Sequence, residues 1–321
     1  MRGVSAVIAY VINRLASAVL VVALVALIAF CLMLIVPGDP AAIVAGANAT
    51  EEDIQQIRVQ LRLHLPFQER LLEWTLGVLQ GDLGRSILLQ RPVSEAIAER
   101  LPVTLALSAY AMAITLVAGI GLGVAAAVRQ NTIVDQLCMI VALLGVSLPN
   151  VWLAILFVMF FSVHLGWFPT GGYVPFAQGW WGAIVALTLP AVALALTQVG
   201  LLARMARSTM LEVLRQDYVQ TAWAKGLPGR LVIAKHALKN TMIPLVTVLG
   251  IVLSLSLSGT VVIETVFSLP GMGRLIVNAI QRRDYPVIQG GLLLTASALV
   301  LVNLVVDLLY AWLDPRVRYA D

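Results

Sequence analysis

The chain has 321 residues, 60% of them hydrophobic and 12% charged, with a mean hydropathy of +0.93 and a formal net charge of +4. That charged share is about half the usual one for soluble domains, and a soluble fold this apolar would expose too much apolar surface. The composition predicts an all-α polytopic membrane protein. It excludes an outer-membrane barrel, whose alternating ten-residue segments are absent, and nucleic-acid binding, for which the basic residues lack a suitable fold around them.

The first uncharged run, 15–36, has 22 residues. At about 1.5 Å per residue it reaches about 33 Å, enough to cross a hydrocarbon core of about 30 Å. The small residues Ala45-Gly-Ala-Asn-Ala49 that follow resemble a cleavage site. The apolar core is longer than a signal peptide's, and Pro37-Gly-Asp-Pro40 separates the two, so the run reads as an uncleaved anchor. In 41–100, Thr50 is placed to cap a helix whose first turn holds Glu51, Glu52 and Asp53. Ile54, Ile57, Leu61 and Leu65 recur at helical spacing. A second helix is expected from Gln68 to Leu79, ending near Gly81. The segment reads either as a receiver of substrate or as a structural brace.

The second span is the uncharged run 101–128. The run 136–203 is uncharged and too long for one helix. Its middle holds Pro169, Gly171, Gly172, Pro175 and Gly182 with Trp167, Trp180 and Trp181. These helix breakers and interface-seeking rings divide it into two spans joined by an interfacial loop. The fifth span is expected at 241–263 and the sixth at 285–313. Cys31 and Cys138 lie inside apolar runs and imply neither a disulfide nor a zinc site. His64, His164 and His236 have no metal-ligand spacing.

Between spans four and five, residues 204–239 carry Arg204, Arg207, Arg215, Lys225, Arg230, Lys235 and Lys239 against Glu212 and Asp217. Basic residues in short flanks mark the cytoplasmic side. Arg2, Arg14, Arg129, Arg316 and Arg318 fall on the same side as this loop, which predicts six spans with both termini cytoplasmic. The loop's centre, from Tyr218 to Pro228, is a short helical run stopped by Gly226 and then proline. Such a helix fits either docking of a soluble partner or a merely solvated basic loop.

Asp307 is the ionisable residue well inside span six, and its expected role is structural, paired with a basic residue or capping a neighbouring helix. Ser147, Asn150, Gln198, Ser254 and Ser258 are polar residues in the spans, either packing helices together or lining a path. No Walker Gly-x4-Gly-Lys-Ser/Thr run is present, so the chain is not expected to bind ATP through a P-loop. An intramembrane protease is disfavoured. Gly145-Val-Ser147-Leu lacks the glycine after the serine, and Asp307 has no aspartate partner within the spans.

The chain resembles the integral-membrane permeases of ATP-binding-cassette importers of the dipeptide/oligopeptide/nickel group, specifically the first of their two permeases. The likeness covers nearly the whole chain. It rests on Pro37-Gly-Asp-Pro40, Gly81-Asp-Leu-Gly-Arg-Ser86, Ala98-Glu-Arg-Leu-Pro102, Ser147-Leu-Pro149 and Leu165-Gly-Trp-Phe-Pro169. It continues through Glu264-Thr-Val-Phe267, Pro270-Gly-Met-Gly273, Asp284-Tyr-Pro286 and Asp314-Pro-Arg316. The general cytoplasmic signature of the family, Glu-Ala-Ala, three residues, Gly, then Ile-x-Leu-Pro, is degenerate. Ala222 and Gly226 match, whereas Gln220, Thr221, His236 and Lys239 depart. The peptide-branch form is matched from Asp217 through Leu227, by His236-Ala-Leu238, and by Asn240 and Pro244.

The resemblance implies the type I importer permease fold with six transmembrane helices. It divides the chain into 1–100, an N-terminal helix plus extracytoplasmic segment, and 101–321, a five-helix core with a coupling loop at 204–240. Tyr218, Thr221, Ala222, Ala224, Lys225, Gly226 and Leu227 become the expected ATPase-coupling residues. Ala222 and Ala224 are small enough for a partner's backbone to come close. The implied partners are a second homologous permease, two ATP-binding subunits that hold ATP and Mg, an extracytoplasmic solute-binding protein, a peptide substrate and the lipid bilayer. The chain itself is expected to be non-catalytic, without a cofactor, in a bacterial or archaeal plasma membrane. Alternative cargoes are nickel complexes, glutathione or oligosaccharides. The rivals from other classes are an ion-gradient-driven secondary transporter and a purely structural membrane subunit.

Overall fold

Helical residues dominate the computed structural model, which describes residues 2–35, 38–46 and 49–313. Pro37, Ala47, Asn48 and the stretch with Asp314, Arg316 and Arg318 lie outside the described residues. In chain order the helices are α1 (Arg2–Ile35), α2 (Pro40–Ala45), α3 (Glu51–Gln60), α4 (Phe67–Leu79), α5 (Val93–Ile114), α6 (Ile120–Val128) and α7 (Ile133–Ser147). They continue with α8 (Asn150–Phe157), α9 (Trp180–Leu214), α10 (Asp217–Ala224), the single turn α11 (Gly229–Leu231), α12 (Lys239–Val266), α13 (Met272–Arg282) and α14 (Tyr285–Leu313). Wider π turns at Thr115–Gly119, Val158–His164 and Val232–Leu238 join α5 to α6, extend α8 and lead into α12. No strand occurs among the described residues.

Five of these helical stretches are long and apolar enough to cross a membrane: Val11–Met33, Val93–Val128, Trp180–Leu214, Pro244–Val266 and Tyr285–Asp307. The expected third span differs. It is a pair, Ile133–Ser147 and Asn150–His164, bent by 104°. Counted as one span it makes six. The reason lies in Leu148-Pro149. The residue before proline is pushed out of the helical region, and Leu148 is extended at φ −98°, ψ 131°.

The contacts divide into two compact units, which do not follow chain order. One comprises the described parts of Met1–Arg14, Thr104–Leu269 and Leu301–Asp321. Its centre is α9, packed against α6, α7 and α12. Small residues permit this. A Cβ on Gly200 would lie 2.1 Å from the Ala142 carbonyl oxygen, and one on Gly145 would lie 2.4 Å from that of Leu196. The two glycines face each other's helices, so α7 and α9 approach backbone to backbone, as small residues allow in membrane helix pairs. Below them Arg207 of α9 donates through Nε and Nη2 to both carboxylate oxygens of Asp135 on α7, at 2.6 and 2.7 Å. This bidentate pair fixes the register of the two helices.

In the same unit Asp307 pairs with Arg14 at 2.9 Å, the structural role expected for it. Glu264, beyond the expected end of span five, is instead inside α12 and fully buried, accepting a 2.5 Å hydrogen bond from Thr104 Oγ1.

The other unit holds Leu15–Val103 and Pro270–Val300. Thr50 caps α3 as expected, and Asp53 returns a bond to the Thr50 backbone; the helix ends at Gln60, so Leu65 is not on it. The helix α13 was not legible in the sequence. Its buried Met272, Ile276 and Ala279 pack with Val93, Ile97, Val287 and Ile288. Asp284, 2% exposed, accepts from Ser86 Oγ at 2.5 Å and ties the turn after α4 to the start of α14. The bond joins the two short motifs at 81–86 and 284–286.

Candidate functional site: the α10 segment and the polar residues of the spans

The segment after α9 is built as a rigid hook. Val219 and Ala222 of α10 are 0% and 5% exposed and pack with Val232, with Val213, Leu214 and Leu227 around them. The spacing of three puts both on one face, so α10 lies against the ends of its own neighbouring helices. The C-terminus is closed by the chain itself. Leu227 N–H donates to the Ala222 carbonyl at 3.4 Å and Gly226 N–H to that of Trp223 at 2.9 Å. This is the double bond pattern of a Schellman cap, which needs a left-handed residue at its second-last position. Gly226 supplies it at φ +73°, with open space around it. Gly229 serves the next turn, because a Cβ there would lie 3.0 Å from the Trp223 ring.

The outward face holds Thr221, Ala224 and Lys225, with Tyr218 and Trp223 43% and 44% exposed. These two rings are also steadied from within. Tyr218 Oη accepts from Asn240 Nδ2 at 3.0 Å, and Trp223 lies over Gly229. Around them Arg204, Arg215, Arg230, Lys235 and Lys239 are exposed, whereas Arg207 is taken by Asp135. Of the residues expected for coupling, Tyr218, Thr221, Ala224, Lys225 and Gly226 are exposed, while Leu227 is half-buried against Val219, Ala222 and Val232. Ala222 is the correction. Unlike the exposed Ala224, it is an anchor to its own chain, packed with Val219 and Val232. Burial explains the alanine there, because a larger side chain would push α10 off Val232.

The polar residues of the spans have mostly closed their bonds internally. Ser147 is exposed and its hydroxyl donates to the Leu143 carbonyl at 2.8 Å. Asn150 Oδ1 accepts from Thr197 Oγ1 at 2.5 Å, joining α8 to α9. Gln198 is 3% exposed and meets Thr115 Oγ1 at 3.4 Å. Ser254 donates to Gly250 and meets Asn303 Oδ1, both at 3.1 Å. Ser258 is exposed and donates to Ser254. Sequence reading passed over Ser108 and gave Ser256 no role, though both have buried hydroxyls without a hydrogen-bond partner. Nothing in their spacing could have singled them out. Among the described residues no group of three or more His, Cys, Asp and Glu is placed to hold a metal.

With this geometry in hand, comparison with known proteins is specific. A family described as "Binding-protein-dependent transport system inner membrane component" matches residues 119–319, and its N-terminal companion matches residues 7–108. A protein of Brucella abortus (strain 2308) named as a peptide transport system permease is 50% identical over 311 residues, covering 97% of this chain and 99% of its own. The glutathione transport system permease protein GsiC of Salmonella typhimurium (strain LT2) is 41% identical over 310 residues, again covering 97% and 99%. Among solved structures, a chain of an inward-facing MetNI methionine ABC transporter matches with a TM-score of 0.55 and 18% identity, over 68% of this chain and 96% of that one. At that identity the likeness concerns the fold.

Proposed function

The chain belongs to the family of binding-protein-dependent transport system inner membrane components, and from that premise we propose that it is the permease subunit of an ATP-driven importer of di- or oligopeptides. The peptide cargo is supported by relatives at 50% identity named for peptide transport. Glutathione, named for a relative at 41%, is the alternative cargo.

The observation that carries the coupling role is α10 with its Gly226 cap. In this reading the hook sits in a cleft on an ATP-binding subunit, with Thr221, Ala224 and Lys225 at the contact and the surrounding arginines and lysines steering docking. The chain has no nucleotide-binding run of its own, so ATP and Mg belong to two partner subunits. When ATP closes them, the hook moves as a body. Its anchor on Val232 passes the movement into α9 and α12, a displacement of packed helices rather than a local bend. A second homologous permease completes the path, and a solute-binding protein delivers cargo. In this reading the α10 segment and both termini lie in the cytoplasm, which the basic flanks support, and the chain sits in a bacterial or archaeal plasma membrane.

Reconstitution tests the reading. The chain with its permease partner, ATP-binding subunits and a loaded binding protein imports peptide only with ATP. Gradient-driven uptake by the isolated chain, abolished by Asp307→Asn, would replace the importer with a secondary transporter.

A further inference from the structure

The unit containing residues 15–103 and 270–300 holds a buried cation that forms no ion pair among the described residues. Arg70 of α4 is 8% exposed, and its guanidinium carbon lies 5.2 Å from the centre of the Phe30 ring. Phe30 packs in turn on Phe67 and Trp74, with ring centres 5.7 and 5.5 Å away. The Arg70 Nε is buried and has no hydrogen-bond partner. Of the acids that line the same cavity, Glu73 pairs with Arg62, and Asp82 accepts from Gly84 N–H at 2.8 Å. A buried guanidinium left unpaired is costly, and the face of Phe30 offsets part of that cost. Burial also draws the Arg70 guanidinium below its ordinary pKa. An anion arriving beside it would reverse that effect.

Arg70 opens onto a cavity of about 200 Å³ whose walls include Phe30, Met33, Trp74, Gln60 and Gln289. It is smaller than the roughly 300–1,000 Å³ of sites that enclose a drug-sized ligand, so it suits the end of a chain and not a whole peptide. Its charged lining is Arg62, Arg70 and Arg85 against Glu73 and Asp82, three positive and two negative. The excess of one matches a single carboxylate better than a doubly charged phosphate. The guanidinium fork fits a carboxylate bidentately, and the adjoining Phe30, Met33 and Trp74 offer apolar surface for a side chain.

We propose that this cavity is a subsite for the C-terminal residue of a peptide, with Arg70 holding its carboxylate and Phe30 and Trp74 its side chain. The proposal rests on the peptide reading above. It goes beyond that reading by giving the permease a carboxylate preference of its own.

The full-length chain in phosphatidylcholine nanodiscs is titrated with N-acetyl-phenylalanine and with its amide, following tryptophan fluorescence assigned to Trp74 by Trp74→Phe. The acid binds saturably, and the amide binds about tenfold or more weakly, as loss of a charge-assisted bond requires. Arg70→Gln weakens the acid by a similar factor and Arg70→Lys by less. Equal binding of acid and amide, which needs no variant, overturns the proposal. So does an Arg70→Gln protein that binds the acid unchanged, or no binding at all. Phosphatidylglycerol that saturates the cavity and excludes the acid would assign it to a lipid headgroup and overturn the proposal too. ATP-driven uptake by the assembled importer separates the two readings. Uptake without acid binding removes only the subsite, and acid binding without any peptide uptake removes only the peptide reading.

Discussion

Six of the eight side chains of α10 face outward, yet the helix is closed on itself, its last carbonyls capped and two residues locked to Val232. The polar residues of the spans show the reverse. Asn150, Gln198 and Ser254 spend their hydrogen bonds on neighbouring helices of the same chain. Both regions looked polar and available in the sequence. The difference teaches that α10 presents exposed side chains on a closed backbone, the form that the proposed coupling role needs, whereas the polarity of Asn150, Gln198 and Ser254 goes into packing.

The largest effect expected from that contrast comes from Gly226. A β-branched residue at φ +73° is strained, and it undoes the cap that makes α10 a rigid body. Gly226→Val leaves the protein inserted but lowers peptide uptake by the assembled importer about tenfold or more, by loss of a coupled step. Uptake at the unsubstituted rate in a well-inserted variant would break the comparison at its first term.

A paired substitution sharpens it. Ala224→Trp alters the exposed face and is expected to weaken association with the ATP-binding subunits while leaving the melting temperature of the isolated permease unchanged. Ala222→Trp overpacks a buried site, which costs about 1–3 kcal/mol, and is expected to lower that melting temperature. Thermal melts and co-purification measure both. If the two variants behave alike, the inward and outward faces of α10 have been assigned wrongly.

The next effect tests the closed region. Asp135→Asn removes the charge that receives Arg207 at two oxygens. Bonds to charged groups in partly buried sites contribute about 1.5–3 kcal/mol, so the variant melts earlier. The loss tracks the α7–α9 joint, and peptide specificity is unchanged. An altered substrate profile with an unchanged melt would move Asp135 from scaffold to path.

How much of this was legible depended on the range of the signal. The spans were readable because a bilayer imposes about 20 apolar residues on each crossing helix, and a structural role for Asp307 followed from the cost of an unpaired charge there, though its partner Arg14 did not. The stop at Gly226 was readable because glycine and proline act within one turn. The 104° bend at Leu148-Pro149 was not read, although the proline stood in view, because the unbroken apolar run around it hid the break. The buried Glu264 and the amphipathic α13 escaped for a related reason. Their partners, Thr104 and the surfaces of α5 and α14, are distant in sequence. The same holds for Arg70, which looked like one more exposed charge in a polar segment. The burial of Ala222 is subtler, since small residues on a short helix serve either side equally well until the packing is known.

The smallest expected effect belongs to Ser258. Its hydroxyl donates to the Ser254 carbonyl of its own helix, four residues back, while the residue itself is exposed. A serine bonding back in this way closes its donor without gluing two helices. Ser258→Ala removes one such bond and no packing volume, so neither stability nor ATP-driven uptake changes by more than about twofold, within the range of neutral surface substitutions. Ser254→Ala is the informative contrast because Ser254 also meets Asn303 across to α14. It is expected to lower the melt slightly and leave the peptide profile alone. Should Ser258→Ala instead alter which peptides are taken up, the hydroxyl must meet cargo in the assembled importer. The exposed side of α12 would then be part of the path, and the rule that span polarity marks packing would fail at the one helix where serines recur every second residue.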